Sequence, residues 1–517
     1  MTGESNKREL LSSFCVFCDN LGEDEGKEKD KILFYHPKEI SVDKQIRNIG
    51  LCQAIIKFTK TFTTDEACEC LHTQKTKQYF YEPEPGYWMV MASTKWTLCF
   101  SHRMKEVEKL VYEYSTTLKV PSRIGSPKAG REVAVVDYLP NDVWDNVYQA
   151  VLRQAYQMFR LFSGRFATIV SECPAEFLDP YDYLRQRLDH FLPKYLASLH
   201  LSEADVSTLF QGIQFLPLDP HSFLKIHCLV NSVEEVFPGI VRSIFFYDDF
   251  LVWSGLEMED MQVMYRYLTT GLFPSAGRAH EAAGYLGPAL AAPKGFFMTG
   301  PSDLSNADNL GKIPRVIVRD IGKGPDFPPE EDPGGKYGEE HQLIVYRAKD
   351  TTICFLFEGS QEMDINLFRK LDAFLGHQLA GLSDEITESI RRKSQNTMSS
   401  DSVMFKYVYF NAVNCAMKST MAVDAARKPV PTGPVDSFVT GSPPTEVLKF
   451  FPQLHQDLHY FGPNAEMSVK LHNDYWVVAK KADQREVYIV MSQRNMTLLE
   501  TSDELNRLFA SQFSNIF

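Results

Sequence analysis

The chain has 517 residues, 44% hydrophobic and 23% charged, with a formal net charge of -13. That length exceeds what one hydrophobic core spans, so about three globular domains are expected, and the composition excludes general disorder. The acidic balance excludes a broad nucleic-acid surface, which needs clustered Lys and Arg, and leaves any membrane contact local.

No run of about 18 apolar residues exists, and the opening MTGESNKREL lacks the apolar centre of a leader peptide. Thr2 stands where myristoylation needs Gly, and the terminal SNIF holds no prenylatable Cys. The expectation is a cytoplasmic chain that neither spans a membrane nor enters the secretory route. Its ten cysteines are scattered through apolar stretches such as TTICFLF around Cys354, the usage of small buried hydrophobes in a reducing compartment.

In chain order, LLSSFCVFC and KILFYHP predict strands. A helix over Asp43 to Phe62 follows, with Ile46, Ile49, Ile55, Ile56, Phe58 and Phe62 recurring near the 3.6-residue period over more than one stripe. YEPEPGYWMVM sets Pro83, Pro85 and Gly86 between aromatic runs, as a hairpin requires. Residues 101–139 read as an insertion or surface loop, in which Met104, Val107, Leu110, Val111 and Tyr114 form an apolar stripe if helical. An amphipathic helix is expected from Asn141 to Phe162, with Asn141 or Asp142 as cap, and a closing helix from Tyr181 to Leu199.

The pattern restarts at SIFFYDDFLVWSG, a hairpin turning at Asp248 and Asp249, followed by a helix from Met258 to Leu272. Residues 276–340 form a Gly/Pro-rich loop bearing two short strands, GFFMTG and RVIVRD. HQLIVYRAKDTTICFLFEG is a second hairpin, and Asp364 to about Lys393 a helix. After the polar RRKSQNTMSSDS a third cycle runs through FKYVYFNAVNCA, a helix near Glu446 to Tyr460, the hairpin SVKLHNDYWVVAKKADQREVYIVM and a last helix from Ser502. The fold expected is α/β (α+β) in three successive domains, each a small antiparallel sheet covered by helices, over 1–200, 201–400 and 401–517.

Motifs for covalent chemistry are missing. Neither a P-loop nor a Gly-x-Ser-x-Gly elbow occurs, and Gly322-Lys323-Gly324 lacks the flanking strand and helix of a phosphate loop. Cys15 and Cys18, with Cys68, Cys70 and His72, have the composition of a zinc site. Residues three apart in a strand, however, point to opposite faces, which favours buried structural thiols. Asp189 and His190 are adjacent on a helix and do not face each other. No cofactor and no metal are expected. Arg391, Arg392 and Lys393, and again Lys480 and Lys481 near Arg485, are the basic clusters that could meet anionic lipid headgroups; a solvated linker and a solvated hairpin turn are the favoured reading of them.

Several segments, KILFYHP, IRNIGLCQAIIKFTKTF, LHTQKTKQYFYEPEPGYWMVM, LVWSGLEMEDMQVMYRYLTTGLFP, HQLIVY, NDYWVVAKKADQREVYIV and ASQFSNIF, resemble, in order from about Lys31 to Phe517, the animal Ccz subunit of the Mon–Ccz complex, in the vacuolar fusion protein family. The resemblance implies three longin-type domains and a heteromer with a Mon subunit that exchanges guanine nucleotide on a late-endosomal Rab GTPase. It also implies a β-propeller-containing regulatory subunit and contact with a phosphoinositide or anionic membrane surface. On that footing the helix from Asp43 is the candidate partner-facing element, with Ile46, Ile49, Gln53 and Lys57 as contacts. A non-exchanging longin scaffold or coat adaptor is the rival class, distinguished by whether nucleotide release is accelerated.

Overall fold

The computed structural model describes residues 11–22, 24, 26–62, 68–73, 76–94, 145–199, 210–275, 295–305, 310–319, 338–396, 405–420, 447, 450–471, 475–492 and 497–512. The expected insertion at 101–139, most of the loop at 276–340, the capping Asn141 or Asp142, and the side chain of Lys393 lie outside them. The chain divides into two compact units, one made of residues 1–81 and 88–145 and the other of 82–87 and 146–517.

The first unit is built on β1 (Leu11–Cys18), β2 (Ile32–His36), α1 (Val42–Lys60), β3 (Cys70–His72), β4 (Thr76–Glu84, up to Tyr81) and β5 (Tyr87–Thr94, from Trp88), with sheet order β2-β1-β5-β4-β3. β1 reads as a continuous apolar run because Phe14 through Cys18 are all buried, so both faces of the strand are covered. On the face that α1 covers, Cys15, Phe17, Tyr35, Phe80, Trp88 and Val90 meet Ile49, Cys52 and Ile56. β4 and β5 turn at Pro85 and Gly86, where Gly86 takes the positive φ of 81° that the turn needs.

The second unit begins with α2 (Asp145–Ser163, all but its first residue), α3 (Phe166–Ser171) and α4 (Pro180–Ser198). Buried Glu84 accepts the Tyr156 hydroxyl at 2.7 Å and the Phe166 and Ala167 amides at 2.6 and 2.9 Å, so one carboxylate closes the open N-terminus of α3. Then come β6 (Ile213–Gln214), α5 (Pro220–Val236), β7 (Ile240–Tyr247), β8 (Phe250–Ser254) and α6 (Met258–Arg266), which runs on through a π-helical turn at Tyr267–Leu272. β9 (Phe296–Phe297), β10 (Arg315–Val318), β11 (Glu339–Ala348), β12 (Thr351–Glu358) and the long α7 (Ile365–Asn396) follow.

These strands give a sheet ordered β10-β11-β12-β7-β8, with β9 on β11. The two faces of its strands separate cleanly, as period two demands. Phe245, Tyr247, Ile344, Tyr346, Ile353, Phe355 and Phe357 pack under α5 and α7, while Ile244, Phe246, Leu343, Val345, Cys354 and Leu356 pack under α6 and the end of α2. Helices therefore cover both faces. The hairpin between β7 and β8 turns at Asp248, which sits at a φ of 51°.

The last sheet is made from β13 (Phe405–Asn411), β14 (Ala416–Ser419), β15 (Asn464–Lys470), β16 (Tyr475–Ala482) and β17 (Arg485–Ser492), with α8 (Phe451–Phe461) and α9 (Leu498–Gln512) on its two faces. Its order is β15-β16-β17-β13-β14-β6, so the segment read as one hairpin is three strands. The sixth strand comes from far upstream. Ile213 and Gln214 pair in parallel with Ala416 and Met417, while the next residue, Phe215, bridges to Leu251 on β8.

α5 is an element that the patterning above passes over. Its start is nonetheless written in Asp219-Pro220: the Asp219 side chain accepts the Ser222 amide at 2.9 Å, and Pro occupies the first turn, where its missing N–H costs nothing. Asp219 also accepts Ser389 Oγ of α7 at 2.6 Å, and that bond, with those from Ser222, holds its carboxyl well below the usual carboxylate range.

Candidate interaction surface

α1 is apolar on two sides. Its inner stripe, Ile49, Cys52 and Ile56, is spent on the sheet. On the opposite side Leu51, Phe58 and Phe62 stand 55%, 65% and 73% exposed, Phe58 in the last turn and Phe62 just beyond it, their ring centroids 4.9 Å apart in an edge-to-face pair. Three large apolar side chains therefore lie open to water on one narrow stripe of the helix.

The four contacts expected from the sequence lie on a different phase of this helix. Ile49 is buried in its own core, and Gln53 is locked beneath the surface, donating to Asp19 Oδ1 at 2.5 Å and accepting from Lys31 Nζ at 3.3 Å. Ile46 is half-buried; Lys57 is exposed, its Nζ 3.9 Å from Asp19. The spacing 46, 49, 53 and 57 follows one edge of the buried stripe, so Ile49 and Gln53 are corrected to intradomain contacts. The outward stripe is Leu51, Phe58 and Phe62.

The basic clusters also separate. Arg391 and Arg392 lie exposed near the end of α7, each sharing Glu388 at 3.8 and 3.1 Å. Lys480 and Lys481 are not at a hairpin turn, as expected, but within β16, where register sets Lys480 opposite Glu466 and Lys481 opposite Glu486. Lys480 Nζ is 3.4 Å from Glu466 and lies over the Phe509 ring, and Lys481 is nearly buried, so both cations already have anions. Cross-strand pairing rather than lipid explains them.

Glu486 is the hub of a buried polar cluster. His455 Nδ1 and Tyr488 OH bond its Oε2 at 2.9 and 2.8 Å, while His459 Nε2 and Lys481 Nζ stand 2.9 and 3.5 Å from its Oε1. Burial works to raise the Glu486 carboxyl, yet the bonds from His455 and His459, the His455 charge and the bond from Tyr488 hold it well below the usual range. Burial and that neighbouring carboxylate push the Tyr488 phenol up. His455 and His459 lie one helical turn apart on α8, so the cluster ties α8 to β17 and β16.

The nine described cysteines are free. Cys15, Cys18, Cys52 and Cys354 are buried, and burial pushes the Cys52 thiol up to about 12; Cys70 and Cys228 are exposed. Cys15 and Cys18 are not joined to Cys70 and His72 in one cluster; the acid that meets Cys70 and His72 is Asp145.

Three sheets built mainly of antiparallel strands, with helices, define a protein of tandem longin-like domains. Residues 11–164 match the model described as the first longin domain of INTU, CCZ1 and HPS4, residues 240–376 the Intu longin-like domain 2, and residues 401–508 the Intu longin-like domain 3. The chain is 36% identical over 513 residues to the vacuolar fusion protein CCZ1 homolog of Xenopus tropicalis, covering 98% of this chain and 97% of that protein. The homologs of Danio rerio and Nematostella vectensis are each 37% identical over 98% of this chain and 95% and 97% of their own length. The chain belongs to the vacuolar fusion protein CCZ1 family.

Proposed function

We propose that this chain is the Ccz-type subunit of a heteromeric guanine nucleotide exchange factor that, with a Mon partner, promotes GDP release from a late-endosomal Rab GTPase and so serves endosome maturation, lysosome fusion and autophagosome fusion. The observation that carries the reading is the outward stripe of α1. Leu51, Phe58 and Phe62 remain exposed after the domain has filled its own core. A second longin domain would cover them, and the paired surface would be offered to the GTPase.

Exchange of this kind needs no covalent step. The factor binds the nucleotide-free GTPase more tightly than the loaded form, and that differential affinity drives release. The relatives' name, vacuolar fusion protein, supports action at a membrane, and among the described residues no helix is long and apolar enough to cross one. Recruitment would then be peripheral. The exposed Arg391 and Arg392 support contact with a phosphoinositide or other anionic surface, and a β-propeller-containing subunit would complete the assembly.

The test loads the Rab with fluorescent GDP and follows release with this chain, with the Mon partner and with both. Fast release only with both is expected. Release unchanged by the stoichiometric complex, in solution and on charged liposomes, would leave the longin scaffold or adaptor in its place.

A further inference from the structure

We propose that Cys70, His72 and Asp145 form a three-ligand zinc site at the edge of the first sheet, with its fourth position open to water or an incoming donor. β3 is the edge strand, and its alternate residues Cys70 and His72 share a face. Asp145 reaches the same point, and the thiol sulfur, an imidazole nitrogen and a carboxylate oxygen all lie within 4.8 Å of one another. Zinc bonds of roughly 2.0 to 2.3 Å in tetrahedral array need donors roughly 3.3 to 3.7 Å apart. To reach that spacing, His72 Nε2 and Asp145 Oδ2, 2.9 Å apart, open by about half an ångström, while the widest pair, at up to 4.8 Å, closes by about one ångström.

The carboxylate is already arranged for the task. Asp145 Oδ1 accepts the hydroxyl of fully buried Tyr79 at 2.8 Å and faces Lys77 Nζ at 3.6 Å, whereas Oδ2 faces His72 Nε2 at 2.9 Å. One oxygen is thus anchored from behind while the other points at the second ligand, the division of labour that outer-shell donors impose at metal centres. Cys68 stays out of the set, its Sγ donating to the Cys70 carbonyl at 3.5 Å.

Charge balances as well. On binding, the Cys70 thiol gives one proton to solvent and coordinates as thiolate, and the proton that His72 Nε2 shares with Asp145 leaves that nitrogen, the neutral imidazole exchanging through solvent to the Nδ1–H tautomer, so that Nε2 can coordinate. Thiolate, carboxylate, neutral imidazole and Zn2+ sum to zero, so the ammonium of Lys77 meets a neutral complex. Borderline-soft Zn2+ suits a sulfur, nitrogen and oxygen set, which Mg2+ and Ca2+ do not. The cluster of His455, His459 and Glu486 is a different case: Lys481 Nζ stands 2.9 Å from His459 Nδ1 and 3.5 Å from Glu486 Oε1, and that cation already fills the place.

The test uses the full chain, stripped with chelator and titrated with Zn2+ against a chromogenic competitor, and with Co2+ for its spectrum. One equivalent bound at micromolar Kd or tighter, with a thiolate-to-cobalt charge-transfer band, is expected. Cys70→Ser should abolish the band and weaken zinc at least about tenfold, and Asp145→Asn should weaken it by a similar factor. Cys228→Ser, at an exposed thiol elsewhere, should change neither. Circular dichroism of Cys70→Ser reports that the fold is kept. A band that survives Cys70→Ser, or no zinc binding tighter than about 100 µM in the unmutated chain, overturns the proposal.

Discussion

Replacing Phe58 by Asp separates the two faces of α1. Of the roughly 200 Å2 that a phenylalanine carries, the 65% exposure of Phe58 leaves about 130 Å2 for a partner. Covering that area at ~25 cal/mol per Å2 is worth about 3 kcal/mol, or about two orders of magnitude in Kd. The substitution should hardly touch the fold, because Ile49, Cys52 and Ile56 hold the helix from the other side. Titrating labelled Mon partner into the wild-type and Phe58→Asp chains, with thermal midpoints measured on each, reads both quantities. Loss of binding by about a hundredfold with the midpoint nearly unmoved is expected, whereas Ile49→Ala should lower the midpoint. Binding of Phe58→Asp within about twofold of wild type would refute the assignment of this stripe to the partner.

Glu486→Gln should cost about 3 to 5 kcal/mol in urea unfolding, because it leaves Lys481, His455 and His459 around a neutral amide. Since the folded Glu486 carboxyl is depressed from its ordinary 4.5, its stabilisation is complete above that value and is lost as pH falls below it; the difference between wild type and Glu486→Gln should shrink in acid. Glu84→Gln should cost about 1 to 3 kcal/mol by the same assay, through weakened bonds to Tyr156 and the first turn of α3. A thiol reagent should modify Cys228 rapidly and Cys52 only on unfolding, followed by mass spectrometry of native protein. Arg391→Glu with Arg392→Glu should lower flotation with anionic liposomes about tenfold, while Lys480→Ala should leave it unchanged.

Elements announced by local composition were legible from the residues alone. β7 and β12 declare themselves through the apolar runs 244–247 and 353–357, the turns at Gly86 and Asp248 through their residue types, and α7 through its long period. Less was legible wherever the answer depended on phase or partnership. α1 carries apolar residues at nearly every angle, so its period identifies a helix but leaves open which stripe meets the sheet; only the sheet settles that Ile49 and Gln53 turn inward. Lys481 reads as a surface charge until register sets it against Glu486. Asp145 is more than seventy positions beyond His72, and no local pattern joins them. α5 was readable from Asp219-Pro220 and the spacing of Ile226, Leu229, Val230 and Val233, a signal masked by the aromatic strand that follows.

The short strap from Ile213 to Leu216 holds β14 on one side and β8 on the other. On the ribosome it emerges long before β14 is made, so the second sheet can close while the strap's other edge waits without a mate until the chain near Ala416 arrives. A nascent chain stalled in that interval would offer chaperones a bare ledge. A gene cut between the two sheets would likewise yield a C-terminal fragment missing its outermost strand, to be made good only by mixing it with the piece upstream.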